Sequence, residues 1–309
     1  MSWRRKHLID VDDWEREDFE LLLEQTSNMD SILDRSIKKA PALRGKIVVN
    51  IFYEPSTRTR TSFEIAGKLL SADVINWTAS GSSAAKGESL RDTIWTLEAM
   101  GADAIVIRHG EVGVPYYLAE KLKKASVING GDGTHAHPTQ ALLDLYTAWR
   151  ELGSLDGKKV AIVGDILHSR VARSDIYAFK AVGAEVYLSG PSTLMPTDIN
   201  SLNAMYEPNI AEAIEGADIV YMLRIQRERQ DAGLFPSLDE YHRRYGLTDK
   251  LLGKAKKGAL VMHPGPINRG VEIASSVADG PQSFILKQVR AGVAVRMALL
   301  YLMLGGVKE

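Results

Sequence analysis

The stretch KIVVNIFYEPSTRTRTSFEIAGKLL, residues 46–70, contains one complete strand-and-helix unit and decides the fold. It begins with a β-branched run that is typical of a buried strand. Pro55 ends this run, and Phe63, Ala66 and Leu70 then recur at the spacing that places apolar side chains on one helix face. Because a strand that feeds directly into a helix is the repeating unit of a parallel sheet, the stretch predicts an α/β fold.

The alternation of strand-like and helix-like segments continues along most of the chain. Apolar runs recur at 73–77, 102–107, 126–129, 158–164, 184–190, 217–224 and 258–263, and helical patterns at 89–100, 138–152 and 169–183. The loop GSLDG at 153–157 separates two series of these units. We therefore expect two α/β domains, each a parallel β-sheet flanked by helices. An opening helix is predicted from Glu15 to about Lys38, with Asp12 or Asp13 as its N-cap.

Composition excludes several classes of protein and site. The chain has 309 residues, a net charge of −1 and no cysteine. Disulfides and thiolate metal sites are therefore excluded, and the near-neutral charge gives no support to a nucleic-acid or membrane-surface partner. The N-terminal residues lack the apolar core of a signal peptide, and Lys287, Arg290 and Arg296 interrupt the apolar segment from Phe284 to Leu304. We expect a cytoplasmic protein whose C-terminal helix is mostly buried.

Hydroxyl and guanidinium groups crowd the start of the helix in the opening stretch. Ser56 is positioned to cap this helix, and Thr57, Arg58 and Thr59 occupy its first turn. Such a turn has backbone N–H groups without helical partners and carries the positive end of the helix dipole, so the segment predicts a phosphate site. Arg60 lies about 200° around the helix from Arg58 and is expected to form a structural ion pair. The alternative is a well-capped surface helix with a basic face.

The tetrapeptide HPTQ at 137–140 predicts a second polar cluster at a helix start. His137 would be the N-cap and Pro138 the first helical residue, a favoured position for proline. A histidine at the positive end of a helix tends to stay neutral, so its ring N–H can donate to a carbonyl oxygen. Gln140 returns to the same face and could accept from an amide through its side-chain oxygen. A plain helix cap is the alternative.

Several motifs in a fixed order carry a family resemblance. The segments STRTR at 56–60, RH at 108–109, HPTQ at 137–140, GDILHSR at 164–170 and HPGP at 263–266 follow one another along the chain. Together they resemble the aspartate carbamoyltransferase family over essentially the whole chain. The resemblance implies transfer of the carbamoyl group of carbamoyl phosphate to the amine of L-aspartate, which gives N-carbamoyl-L-aspartate and phosphate in pyrimidine biosynthesis. It also implies a homotrimer, and leaves open whether regulatory chains or another pyrimidine enzyme joins it.

The resemblance also implies a role for each matching residue. The phosphate group would be bound by Ser56, Thr57, Arg58 and Thr59. The carbamoyl group would be bound by Thr59, Arg108, His137 and Gln140, and its developing oxyanion would be stabilised by Arg58, Thr59, Arg108 and His137. Aspartate would be bound by Arg170, Arg224 and Gln226, and Pro264 and Gly265 would supply backbone carbonyls near the carbamoyl and amine nitrogens. A neighbouring subunit would contribute Ser82 and Lys86.

The same resemblance implies how the chain is divided into domains. Residues 1–138 with 288–309 would form the carbamoyl phosphate-binding domain, and residues 139–287 the aspartate-binding domain. The last helix would thus cross back to the first domain. The active site would lie in the cleft between the domains and at the subunit interface. Position 265 is a glycine where many family members carry leucine or alanine, which implies a looser loop there.

The residue types suit the implied chemistry. Carbamoyl phosphate and aspartate bring about four negative charges into one pocket, and buried charges need partners. Cations are supplied by Arg58, Lys86, Arg108, Arg170 and Arg224. Two arginines in the aspartate site suit its two carboxylates, because a guanidinium can bind a carboxylate through two parallel hydrogen bonds. The reaction calls for no cofactor and no metal.

Other activities remain as alternatives. A carbamoyltransferase for ornithine or another amine would share most motifs, although the HCLP of ornithine enzymes is HPGP here. An NAD-dependent dehydrogenase would explain VAIVGD at 160–165, although GDILHS lacks the G-x-G-x-x-G pattern that admits a pyrophosphate. A non-catalytic relative is disfavoured because every implied catalytic position carries a suitable residue.

Overall fold

Two parallel sheets form two compact units in a computed structural model of the chain, which describes residues 3–78, 88–225 and 237–305. Among these residues, the first unit runs to Tyr146 and resumes at Val289, and the second comprises Thr147–Gln288. Neighbouring strands in both sheets pair in parallel. The α/β architecture with two parallel-sheet domains, predicted from the sequence, is therefore confirmed.

Within the described residues, the sheet of the first unit has four strands. They are β1 (Ile47–Phe52), β2 (Asp73–Thr78), β3 (Ala104–His109) and β4 (Ser126–Asp132), arranged in the order β2-β1-β3-β4. The helices are α1 (Arg16–Leu33), α2 (Thr57–Leu69), α3 (Leu90–Ala99), α4 (Val114–Lys121) and the beginning of α5 (Pro138–Leu152). Side chains of the two central strands are buried in the core, among them Val49, Ile51, Ile105 and Ile107. Burial on both faces explains why these strands are nearly continuous apolar runs.

In the part of the second unit that the structure describes, the sheet has five strands. They are β5 (Lys159–Val163), β6 (Glu185–Ser189), β7 (Met205–Tyr206), β8 (Ile219–Met222) and β9 (Leu260–Met262), arranged in the order β7-β6-β5-β8-β9. The helices that follow α5 are α6 (Arg170–Ala181), α7 (Ile210–Ile214), α8 (Leu238–Tyr245), α9 (Asp249–Leu252) and α10 (Ser275–Ala278). Ala161, Val163, Val220 and Val261 pack in one apolar cluster of this unit.

The last helix, α11 (Ile285–Leu304), belongs to the first unit from Val289 onward. Its Arg290 contacts α1, because Nε lies 3.0 Å from Asp30 Oδ1 and Nη2 lies 2.7 Å from Asp34 Oδ1. These ion pairs fix the final helix against the opening helix. Across the three described ranges, no helix combines the length and apolarity that a membrane crossing would need.

The ends of α1 differ from the sequence-based prediction. Glu15 is the N-cap and forms a capping box with Asp18, so neither of the preceding aspartates caps the helix. The helix ends at Leu33 rather than near Lys38. The next residues are exposed, including Ile37 at 75%, and a helix segment without a buried apolar face gains little from packing. The short elements β7, α4, α7, α8, α9 and α10 were not predicted, because such short segments carry no clear periodicity.

Candidate active site

The start of α2 follows the carboxyl end of β1, where ligands of parallel sheets bind. Ser56 occupies the N-cap position, but its side chain makes no capping hydrogen bond, contrary to expectation. The first turn contains no acidic residue, so no carboxylate in that turn competes with an anionic ligand for the helix dipole. Thr59 is buried, and its carbonyl accepts from Ser62 Oγ at 2.9 Å. This turn has the composition of an anion site.

The rest of α2 holds that turn in place. A Cβ at Gly67 would lie 2.5 Å from Val74 Cγ2, so only glycine lets the helix approach β2 this closely. Arg60, expected to form a structural ion pair, interacts electrostatically with Glu64, one turn further along the helix. Hydrogen bonds from Lys68 and Asn76 lower the pKa of Glu64, and the charge of Arg60 adds to this shift.

Arg108 lies near the carboxyl end of β3 and is anchored on two sides. Its Nε lies 3.2 Å from Glu54 Oε2, and its Nη1 donates to the carbonyl of Gly130 at 3.3 Å. Only 13% of its side chain is exposed. In the sheet Arg108 pairs with Phe52, so it lies beside the chain that leaves β1 for α2. Glu54 was not identified as a functional residue from the sequence, although it belongs to the quoted stretch.

The chain between β4 and α5 turns around the buried carboxylate of Asp132. This group accepts from Asn129 Nδ2 at 3.0 Å, from the N–H of Gly113 at 3.0 Å and from the N–H of Ala136 at 3.2 Å. Desolvation opposes ionisation, but hydrogen bonds from His135, Gly113 and Asn129 hold the pKa of Asp132 below its usual value. The hydrogen bond to Asp132 in turn raises the pKa of His135. The chain before His137 therefore turns around an ionised carboxylate that accepts hydrogen bonds from three sides.

His137 and Gln140 lie together at the start of α5. His137 is 5% exposed, and its carbonyl accepts from the N–H of Gln140 at 2.9 Å. The side chain of Gln140 donates through Nε2 to both carboxylate oxygens of Asp144, each at 3.1 Å. Asp144 was not predicted as a site residue from the sequence, although its spacing of four residues from Gln140 places both side chains on the same helix face.

In the second unit, Arg170 is the first residue of α6 and is 3% exposed. Ser169 caps this helix by accepting from the N–H of Ala172 at 3.1 Å. Asp165 fixes the preceding turn, because Oδ1 accepts from the N–H of His168 at 3.0 Å and both carboxylate oxygens lie 3.0 Å from His168 Nδ1. His168 thus holds the chain that leads to Arg170.

The loop after β9 is supported by a buried histidine. The N–H of Gly265 donates to His263 Nδ1 at 2.8 Å, so the ring proton lies on Nε2, which donates to Glu272 Oε1 at 3.1 Å. Gly265 has a φ of 61°, a left-handed conformation that glycine adopts without strain. The backbone at Pro264 and Gly265 is therefore held by a hydrogen bond despite the glycine.

The same network reaches the chain that follows Arg224. Asn268 donates to Glu272 through its backbone N–H at 2.6 Å and through Nδ2 at 3.1 Å, and Nδ2 also lies 3.1 Å from the carbonyl oxygen of Ile225. Glu272 is 0% exposed. We define His263, Asn268 and Glu272 as the Glu272 network. Sequence reasoning missed Asn268 and Glu272, since no spacing or motif connects them to the site.

Three predicted site residues, Ser82, Lys86 and Gln226, lie outside the described residues. In the part of the chain that the structure describes, no cluster of three or more His, Asp or Glu side chains could hold a metal ion. The described candidates occur in both units: Ser56, Thr57, Arg58, Thr59, Arg108, His137 and Gln140 in the first, and Arg170, Arg224, Pro264 and Gly265 in the second.

Both halves of the chain are similar in sequence to known proteins. Residues 6–150 match the sequence model of the carbamoyl-P binding domain of aspartate/ornithine carbamoyltransferase, and residues 156–303 match the model of its Asp/Orn binding domain. The aspartate carbamoyltransferase catalytic subunit of Moorella thermoacetica is 57% identical over 306 residues, which are 99% of each chain.

Solved structures share the fold at lower identity. Aspartate transcarbamoylase from Trypanosoma cruzi, in complex with carbamoyl phosphate and aspartate, superimposes with a TM-score of 0.88 at 29% identity over 98% of each chain. Ornithine carbamoyltransferase from Pyrococcus furiosus gives a TM-score of 0.87 at 29% identity over 100% of each chain. Because the two family models together match nearly all of the sequence, the chain belongs to the aspartate/ornithine carbamoyltransferase family.

Proposed function

We propose that this protein transfers the carbamoyl group of carbamoyl phosphate to the amine of L-aspartate, in pyrimidine biosynthesis. The observation that carries the proposal is the 57% identity, over 99% of both chains, with a relative named as an aspartate carbamoyltransferase catalytic subunit. In the proposed division, residues 1–138 with 288–309 bind carbamoyl phosphate and residues 139–287 bind aspartate. The products are N-carbamoyl-L-aspartate and phosphate.

The start of α2 binds the phosphate group in this proposal. Its backbone N–H groups and dipole favour an anion, and hydroxyls and a guanidinium add donors from Ser56, Thr57, Arg58 and Thr59. The carbamoyl oxygen is bound by Thr59, Arg108 and His137, and the carbamoyl amide by Gln140. When the amine attacks the carbamoyl carbon, charge grows on that oxygen, so the same donors stabilise the transition state more than the ground state.

Aspartate is bound by Arg170, Arg224 and Gln226 in this proposal, with the carbonyls of Pro264 and Gly265 accepting from nitrogen atoms of the reactants. Arg170 is almost fully buried at the first position of α6, and a guanidinium can bind a carboxylate through two parallel hydrogen bonds. Two arginines suit the two carboxylates of aspartate better than the second amine of ornithine. The Pyrococcus furiosus structure, an ornithine enzyme, has a nearly equal TM-score, so the fold alone does not select the amine.

Phosphate release from carbamoyl phosphate tests the proposed function directly. We expect the purified protein to release phosphate only when L-aspartate is present, with N-carbamoyl-L-aspartate detected by mass spectrometry. L-ornithine at the same concentration is the matched control and should give the rate measured without any amine. Release that depends on ornithine, or no release with aspartate, would contradict the proposal.

We further propose that the active protein is a homotrimer in which Ser82 and Lys86 reach the site of the neighbouring subunit. The family resemblance of the segment SSAAKGE at 82–88 supports this arrangement. Chains carrying Arg58→Ala and chains carrying Lys86→Ala, each inactive alone, should regain activity after their subunits exchange, because some sites then contain neither change. The control is each variant mixed with itself. Verified exchange without any recovery would exclude shared sites.

A further inference from the structure

The side-chain amide of Gln140 is held in one orientation by a buried carboxylate. Its Nε2 lies 3.1 Å from Asp144 Oδ1 and 3.1 Å from Asp144 Oδ2, one turn further along α5. The reversed amide would place its oxygen against that carboxylate, where two acceptors would face each other without a proton between them. The nitrogen is therefore fixed against Asp144, and the amide oxygen is directed away from it.

A buried arginine balances the charge of this carboxylate. Asp144 is 0% exposed, and an isolated carboxylate at such a place would be very costly. Arg296 of α11 is 3% exposed; desolvation lowers its pKa to about 9, and the charge of Asp144 acts in the opposite direction. With that pKa Arg296 is protonated at neutral pH. Its Nη2 donates to Thr139 Oγ1 at 3.1 Å, and its Nη1 donates to the carbonyl of Gly292 at 3.0 Å.

We propose that Asp144 is a positioning residue that makes the carbamoyl site selective for an amide. The inference rests on the proposed function, in which Gln140 contacts the NH2 group of carbamoyl phosphate. That NH2 group is a donor and needs an acceptor. By holding Nε2 of Gln140, Asp144 leaves Oε1 to accept from the ligand. Without the carboxylate the amide can reverse, and Nε2 then meets the carbamoyl NH2 as donor against donor. Asp144 acts through Gln140 and not by touching the ligand.

Two acyl phosphates separate this role from a general structural one. Acetyl phosphate carries a methyl group where carbamoyl phosphate carries NH2, so it cannot use the accepting oxygen of Gln140. For Asp144→Asn we expect the KM for carbamoyl phosphate to rise about tenfold, since one hydrogen bond is replaced by a mismatched contact. The Ki of acetyl phosphate as a competitor should stay within about twofold. The measured quantity is the ratio of these two constants.

Gln140→Ala supplies the matched comparison. It removes the amide altogether and should change the ratio in the same direction. Adding Asp144→Asn to Gln140→Ala should then change the ratio no further, because the two residues act through one contact. An additional change in the double variant would overturn the proposed route through Gln140.

Folding must be measured in parallel, because Asp144→Asn leaves Arg296 without its charge partner. If this variant does not fold, Asp144→Asn combined with Arg296→Met removes both buried charges and allows the same measurement. A folded variant that keeps the original ratio of the KM for carbamoyl phosphate to the Ki of acetyl phosphate overturns the proposal. Equal weakening of the binding of both ligands leaves that ratio unchanged and overturns it as well. If the unsubstituted protein shows no aspartate-dependent turnover, the proposed function fails instead.

Discussion

Replacing Arg108 with methionine is expected to lower kcat about 10²- to 10³-fold, which corresponds to about 3–4 kcal/mol in the barrier. In the proposed reaction, negative charge grows on the carbamoyl oxygen as the amine attacks. A donor that is already fixed stabilises this charge without reorganisation. Arg108 meets that condition, since Glu54 and the carbonyl of Gly130 hold its guanidinium and only 13% of the side chain is exposed.

The matched control for Arg108→Met is Arg60→Met. Arg60 is a nearby arginine, in the first turn of α2, to which no substrate contact is assigned. Its loss should change kcat by less than about twofold, in line with the small effects of peripheral substitutions. Steady-state rates at saturating substrates and thermal unfolding midpoints should be measured for both variants. A folded Arg108→Met variant with a kcat similar to that of Arg60→Met would remove Arg108 from the proposed oxyanion site.

The sequence predicted the elements whose ends carry local signals. The helix α5 has the predicted bounds, because Pro138 suits the first helical position and Gly153, with a φ of 72°, follows the last residue. The end of α1 carries no such signal, and the predicted helix was too long. The strands β1, β3, β5 and β8 were predictable because burial on both faces makes them nearly continuous apolar runs.

The candidate site was predictable where its residues are close in sequence to a motif. The first turn of α2 and the HPTQ segment show their chemistry in consecutive residues. Asp144 could have been found from its spacing to Gln140, because residues four apart share a helix face. Glu272 could not have been found in this way, since it contacts His263 and Asn268 only because an irregular loop brings them together. Such contacts depend on tertiary structure and have no periodic pattern.

The second large expected effect is a loss of stability when Glu272, the buried carboxylate of the Glu272 network, is replaced. Glu272→Gln should lower the free energy of unfolding by about 3 kcal/mol, because one of the two accepting oxygens of a buried carboxylate is replaced by an NH2 group that faces a donor. With the amide oxygen in the place of Oε1, Asn268 Nδ2 loses its acceptor, and with the amide reversed, His263 Nε2 and the N–H of Asn268 lose theirs. Urea unfolding at neutral pH measures the loss. Glu240→Gln in the same unit is the control, since Glu240 makes an exposed ion pair with Arg244 that should contribute less than about 1 kcal/mol.

The network also connects stability to aspartate binding. His263 donates to Glu272 and accepts from Gly265, while Asn268 lies 3.1 Å from the carbonyl of Ile225, next to Arg224. In the folded Glu272→Gln variant at least one donor of His263 or Asn268 faces the new NH2 group, so the network is no longer held in one arrangement. The KM for aspartate should therefore rise about tenfold, while the KM for carbamoyl phosphate changes little. An effect on stability alone would mean that the network supports the second unit without orienting its ligand groups. Equal increases in both KM values would show that the damage is not confined to the aspartate site.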